Sequence, residues 1–445
     1  MRFRISTLTV FTFVCLMLGG FTQALAQGSW TTKAPMPTPR VGFATGVVNG
    51  ILYAAGGYNG GYLSPSPNEA YDPVANTWVS KAPMPTPREI RGGNGAVVNG
   101  ILYVIGGNNG FCLSTVEAYN PSTNSWSTKA SMPTPRCHLA LAAAGGLIYA
   151  IGGTNTSGSI KYATVEVYNP STNSWTTAAS MPTGRQDLIA IVINGLIYAV
   201  GGGNPAFPNG GFLATNEIYN PATNTWAIGA PMPTARALLA GGAANGRLYA
   251  VGGSDATSIL ATNEAYDPGT DTWTTDTSMP TARTSLGAGV INNVLYAVGG
   301  GNSTSALATN EAFTPITLAC AGFDSPFDVS ILIKAKVQRA IPLKMQLSES
   351  GTPITDLNIP GAAPVVDVSF SAGGGPAVDV TGLLEPVGQS SDGNTFSFDA
   401  GTGRWVFNLG SKPFSAAGTY TVTAKAGDTS YGISPSCSGQ FIRGN

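Results

Sequence analysis

The chain has 445 residues, of which 58 are glycine and 31 proline, while Asp, Glu, Lys and Arg together supply only 10%. A net charge of −1 leaves no basic field to hold nucleic acid or an anionic membrane. One histidine, His138, and five cysteines without a CxxC pair argue against a His-rich or Cys-based metal centre.

Arg2 and Arg4 precede an apolar stretch over residues 8–21, and Ala24-Leu25-Ala26 comes next as a small-residue cleavage pattern. Residues 1–26 therefore read as a secretory signal peptide, short of the roughly 20 apolar residues needed to span a bilayer. The mature chain is expected to begin near Gln27, outside the reducing cytosol, with no integral membrane span.

A repeat dominates the chain beyond the leader. Ala34-Pro35-Met36-Pro37-Thr38-Pro39-Arg40 returns with small changes, ending at Arg88, Arg136, Arg185, Arg236 and Arg283. These arginines are almost evenly spaced, with the widest step between Arg185 and Arg236. A Gly-Gly pair follows each arginine, then a glutamate: Glu69, Glu117, Glu166, Glu217, Glu264 and Glu311. Trp78, Trp126, Trp175, Trp226 and Trp273 stand nine residues after the first five glutamates. Within each unit four strands are expected, a to d. In the first unit they cover residues 42–48, 51–55, 68–71 and 77–81, broken by Asn-Gly, Gly-Gly and Asp-Pro signals. No helical period appears, so the fold class is all-β.

Four strands, Gly-Gly and a late Trp in each unit resemble the kelch repeat over residues 28–317. The resemblance implies a six-bladed β-propeller. The sixth unit ends at Glu311-Ala312-Phe313-Thr314-Pro315 without a Trp, while a spare Trp30 stands ten residues before Arg40. The N-terminal segment is thus expected to supply the outer strand of the last blade. The stretch from Gly-Gly to Glu varies most, from Gly106–Glu117 at its shortest to Gly201–Glu217 at its longest, so variation collects in the b–c loops. Kelch propellers place those loops and the d–a turns on one face, where binding is expected.

From residue 318 to 445 short alternating segments separated by glycine-rich turns predict a β-sandwich. Ile341-Pro342-Leu343-Lys344-Met345 and Ala417-Gly418-Thr419-Tyr420 resemble a PxKF-type, Ig-like module of bacterial secreted proteins, with Met345 in place of Phe. The expected organisation is a leader over 1–26, a propeller over 27–317 and a sandwich over 318–445.

The six repeated arginines and six glutamates make up 12 of the 25 charges between residues 28 and 317. Groups present in every unit are expected to pair within the unit, rather than form an open ring that catches acidic ligands. The tryptophans are expected to pack between blades. Departures from the repeat carry more. The second unit has two extra residues around Glu89-Ile90-Arg91, the third has Cys137-His138 and the fourth Gln186-Asp187. At the start of strand a, Glu89, Arg91, His138 and Asp187 are placed to converge at the channel mouth, with Glu89, Asp187 and His138 as candidate proton-transfer groups. The b–c loops add Tyr58, Tyr62, Phe111, Phe207 and Phe212 beside Asn and Gly, a composition suited to sugar or peptide recognition. Cysteine pairs 112–137 and 320–437 are expected: the first joins neighbouring units on one face, the second brackets the C-terminal region.

Copper chemistry of the galactose-oxidase type needs two histidine ligands, which this chain lacks. No nucleophile elbow or Walker-type phosphate loop is present. The reading is therefore a secreted monomer that needs no cofactor or metal and binds a glycan or an extracellular protein through the b–c face. The alternative is a metal-independent sugar mutarotase or isomerase at the channel mouth, as in sialic-acid mutarotase-like propellers.

Overall fold

The computed structural model describes residues 28–324, apart from 63, 93–94 and 207–210, and shorter stretches between 331 and 443. The leader region and Phe207 lie outside the described residues. Among them the repeat builds six antiparallel sheets of four strands. In the first, Ala44–Val48, Ile51–Ala55, Asn68–Asp72 and Thr77–Ser80 pair in chain order as strands a to d. Strand a starts two residues later than its apolar run suggests, because Gly42 sits in a left-handed turn (φ 57°) instead of extended backbone. Strands a and b join through Asn49-Gly50, both at positive φ, the two-residue turn that Asn-Gly favours.

The sixth sheet takes its outer strand from the other end of the repeat. Ser29–Thr32 pairs with Asn310–Thr314, and Trp30 lies opposite Phe313. Strand a of each sheet lies against strand a of the next, and Gly287–Ile291 returns to Ala44–Val48, so the six sheets close a ring. Two aromatic systems hold the seams. Tyr71, Tyr119, Tyr168, Tyr219, Tyr266 and Phe313 each meet a tyrosine of the neighbouring sheet, with centroids 5.3–5.9 Å apart. Such a pair adds about 1 kcal/mol beyond the area it buries. The indole N–H groups of Trp30, Trp78, Trp126, Trp175, Trp226 and Trp273 donate to the carbonyls of Thr277, Ala34, Ala82, Ala130, Ala179 and Ala230, each just after strand d of the preceding sheet. Their N–H groups are thus engaged at the seams between sheets.

Around the axis the a strands enclose a channel of about 410 Å³, walled by glycine and small apolar residues such as Ala96, Ala142, Ala190 and Ala288. Among the described residues that line it, Thr45 alone has a polar side chain, and its hydroxyl donates to the Ala288 carbonyl (2.7 Å). Ionisable chemistry therefore sits outside the channel wall, at its mouth.

Thr317–Phe323 leaves the ring and pairs with Ala340–Glu349, the centre of a second architecture. That sheet also holds Arg404–Gly410, while Val365–Ser371, Gly418–Lys425 and Ser438–Arg443 belong to another. Leu343, Met345, Leu347, Trp405 and Phe407 of the first share one core with Val366, Val368, Tyr420 and Val422 of the second. Cys320 and Cys437 stand at disulfide distance, Cα to Cα 5.4 Å, and both belong to that shared core.

Candidate functional site

The repeated charges settle into six buried ion pairs: Arg40–Glu69, Arg88–Glu117, Arg136–Glu166, Arg185–Glu217, Arg236–Glu264 and Arg283–Glu311. Every one of these arginine side chains is wholly buried. Each also donates to a carbonyl of strand b in its own unit: Ala54, Val104, Ala150, Ala199, Ala250 or Ala297. A threonine hydroxyl caps the glutamate in five units, as Thr134 does for Glu166 (2.7 Å). Burial pulls the arginine pKa values down while the paired glutamate opposes it. These twelve groups pin each d–a turn to strands b and c, and no guanidinium among them is open to an acidic ligand.

Those pins place the next residues at the channel mouth. The residue after each arginine bridges the b–c loop of its own unit: Val41 to Tyr58, Glu89 to Asn108, Cys137 to Thr154, Gln186 to Gly203, Ala237 to Ser254 and Thr284 to Gly301. Turns and loops thus share one face. The second residue after the arginine is left-handed in five units: Gly42, His138, Asp187, Leu238 and Ser285 have φ of 52–59°. Non-glycine residues held there are strained, which is typical of sites over-determined by their surroundings. Their backbones chain from unit to unit. Asp187 N donates to His138 O, Leu238 N to Asp187 O, Ser285 N to Leu238 O, Gly42 N to Ser285 O and Ile90 N to Gly42 O, at 2.6–3.0 Å.

The non-repeating side chains gather on this circle. Arg91 Nε donates to Glu89 Oε1 (2.7 Å), and His138 Nδ1 lies 3.4 Å from Asp187 Oδ1. Gln186 Nε2 donates to Asp187 Oδ2 (2.7 Å). Burial disfavours the Asp187 carboxylate, but His138, Arg91 and Gln186 together hold its pKa below the usual aspartate value. Arg91 also loses by burial, yet Glu89, Asp187 and Tyr62 raise its pKa overall. In each pair the acid lies deeper: side-chain exposure is 6% for Glu89 against 37% for Arg91, and 7% for Asp187 against 15% for His138. Glu89 therefore orients a guanidinium that faces outwards, whereas His138 Nδ1 and Asp187 Oδ1 lie within ion-pair distance without a hydrogen bond. Gly42 makes room for this arrangement, since a Cβ there would stand 2.6 Å from Glu89 Cγ. Its role was not visible in the sequence, although its place in the repeat, aligned with His138 and Asp187, carries the signal.

The loop residues fall into two groups. Tyr58 and Tyr62 meet edge to face at 5.5 Å, and the Tyr62 hydroxyl reaches Asn108 Oδ1 (3.4 Å), beside Arg91. Phe111 is 71% exposed at the tip of the second b–c loop. Phe212 is half-buried and bridges Gly203 in its own loop, two units round the ring from Arg91. Cys112 and Cys137 stand at disulfide distance, Cα to Cα 4.9 Å. Among the described residues no group of three or more His, Cys, Asp and Glu is spaced to hold a metal ion, and no helix is long and apolar enough to cross a membrane.

Comparison with known proteins agrees with this architecture. Residues 21–153 match the KLHDC2/KLHL20/DRC7 Kelch-repeats domain, and residues 135–182, 190–233, 235–280 and 282–319 match the Kelch motif. No curated protein matches the chain. A solved structure described as that of YjhT is similar in fold, with 19% identity and a TM-score of 0.53, over 63% of this chain and 96% of that one. The repeated part of this chain is a kelch β-propeller.

Proposed function

We propose that this protein is a secreted binding module with six blades and a C-terminal Ig-like sandwich, and that it recognises a glycan or an extracellular protein through the b–c face. The observation that carries the reading is the contact network around Arg91, which meets Glu89 and lies near Asp187 and Tyr62, while Asp187 in turn approaches His138; Phe111 stands exposed on the b–c loop of the same unit as Arg91. Exposed aromatic faces beside oriented polar groups suit sugar rings and peptide side chains. The leader over 1–26 and two cysteine pairs at disulfide distance support export to an oxidising compartment. A glycan array and a cell-surface pull-down with residues 27–445 test the reading, with Tyr62→Ala/Phe111→Ala alongside. Specific capture lost in that folded variant supports it. Capture that survives the double change places recognition elsewhere, and no capture in either assay sinks it.

The paired His138 and Asp187 favour a second reading, in which the mouth interconverts sugar forms without a metal. An imidazole beside a buried carboxylate can transfer protons. Anomer exchange followed by NMR on any sugar the array identifies decides between them: exchange lost in Asp187→Asn marks an enzyme, and exchange no faster than in buffer marks a binder.

A further inference from the structure

The backbone circle at the mouth has a gap. Five amide-to-carbonyl links join the units in turn, but no described residue of the second unit accepts from the His138 amide. The gap falls where the second unit carries two extra residues between Arg88 and Gly106. The insertion sets Arg91 between Ile90, which keeps the link to the first unit, and Gly92, which packs against the Leu139 carbonyl of the third. Counted back from Gly106, Gly92 holds the place that His138 has before Gly152 and carries the positive φ (91°), while Ile90, two residues after Arg88, makes the link to the Gly42 carbonyl.

The Cys112–Cys137 pair spans this same seam. Cys112 belongs to the b–c loop of the second unit and directly follows Phe111. Cys137 opens the third unit and directly precedes His138. Both are buried. Secondary contacts trace the same path: Cys112 N donates to Thr156 Oγ1 (3.0 Å), and the two sulfurs lie against the Thr154 and Gly107 carbonyls.

We propose that the Cys112–Cys137 disulfide is the positioning element of the mouth site, holding the second and third units in register across the seam that the insertion opens. It fixes the left-handed turn of His138 and the loop of Phe111, and so sets His138–Asp187 opposite Glu89–Arg91. The rest of the fold does not depend on it, because the six buried Arg–Glu pairs and the tryptophan seams are independent of these sulfurs. The proposal rests on the mouth site of the proposed function, but its test needs no ligand and stands apart from the identity of whatever binds.

His138 is the sole histidine, so its ring protons give one assignable NMR signal pair. Spectra of the mature protein would be recorded oxidised, after dithiothreitol, and for Cys112→Ser/Cys137→Ser, with Cys320→Ser/Cys437→Ser as the control. Breaking 112–137 should shift and broaden the His138 signals while near-ultraviolet circular dichroism of the ring stays native. Breaking 320–437 should leave those signals in place. Deleting residues 91–92, to restore the common spacing, should sharpen them again in the Cys112→Ser/Cys137→Ser background. Unchanged His138 signals after the 112–137 bond is cut would overturn the proposal. So would global loss of near-ultraviolet signal in Cys112→Ser/Cys137→Ser, because the bond would then hold the whole fold rather than the site.

Discussion

Removing one partner of a buried Arg–Glu pair separates the structural role of these groups from any role in binding. Glu166 accepts from Arg136 Nη2 (2.8 Å) and from the Thr134 hydroxyl (2.7 Å), and both charged side chains are essentially inaccessible to water. In Glu166→Ala the guanidinium stays buried without its counter-charge, which costs about 3–5 kcal/mol. Arg136 also donates to the carbonyls of Gly152, Thr164 and Ala150 (2.8–3.2 Å). Arg136→Met therefore adds three lost bonds to an uncompensated carboxylate, with the Thr164 carbonyl keeping the Gly152 amide, and at about 1 kcal/mol for each lost bond it should be the worse change. The double variant Arg136→Met/Glu166→Leu removes both charges but keeps the carbonyl losses, so it should cost about 3 kcal/mol, no more than Glu166→Ala and less than Arg136→Met. Urea unfolding followed by tryptophan fluorescence reads all three. A cost below about 1 kcal/mol for Glu166→Ala, or an arginine change milder than the glutamate change, would refute the assignment of these groups as cross-links.

Gly42→Ala should displace the Glu89 side chain, since the new Cβ would meet Cγ at 2.6 Å at φ 57°, and should weaken capture by at least tenfold with a stability loss of about 1–2 kcal/mol. Trp126→Phe removes the donor to the Ala82 carbonyl (2.8 Å) and should cost about 1 kcal/mol by urea midpoint without touching binding. The folded state depresses the Asp187 pKa, so its contribution to stability is complete above the ordinary value of 3.8 and disappears as pH falls through the lower folded value. Urea midpoints of Asp187→Asn between pH 7 and pH 2 should accordingly show a flatter acid limb, and an unchanged slope would contradict the pairing with His138. Burial pushes Tyr71, Tyr119 and Tyr168 up to about 12, so stability should fall between pH 10 and 12, with their phenolate absorbance rising near pH 12 rather than near pH 10 while the ring stays folded.

The repeat was legible because each of its letters does a local, period-bound job. Asn-Gly makes the a–b turn, Glu meets the arginine that opens its own unit, and Trp reaches the carbonyl after strand d of the preceding sheet. Ring closure could be read from an absence, the sixth unit without its Trp. Phe313 shows the same logic from inside. Tyr71, Tyr119, Tyr168, Tyr219 and Tyr266 donate to an Asn or Asp five residues on in the c–d turn, whereas the sixth unit has no such turn and carries Phe. Less could be read where no period exists. Met345 on the Ala340–Glu349 strand shows only alternation, which places its side chain in a core without saying which sheet it faces. The left-handed circle was hidden because Gly, His, Asp, Leu and Ser share no side-chain chemistry. Only the spacing from the buried arginine aligns them.

That hidden circle explains why the mouth can vary while the ring does not. The arginine fixes the turn from its own side, by bonds to strands b and c, so the residue two places later has its backbone set before its side chain matters. Leu238 and Ser285, in the fifth and sixth units, occupy the same geometry as His138 and Asp187 without an ionisable side chain. A site assembled at such positions can change its chemistry by substitution without disturbing the sheets, but only while the turns stay in register. The seam after the insertion at Glu89-Ile90-Arg91 lacks the link from the His138 amide, and the cysteine pair lies at that seam. The extra residues that deliver Arg91, the seam without a link from the His138 amide and the Cys112–Cys137 pair therefore coincide in the ring.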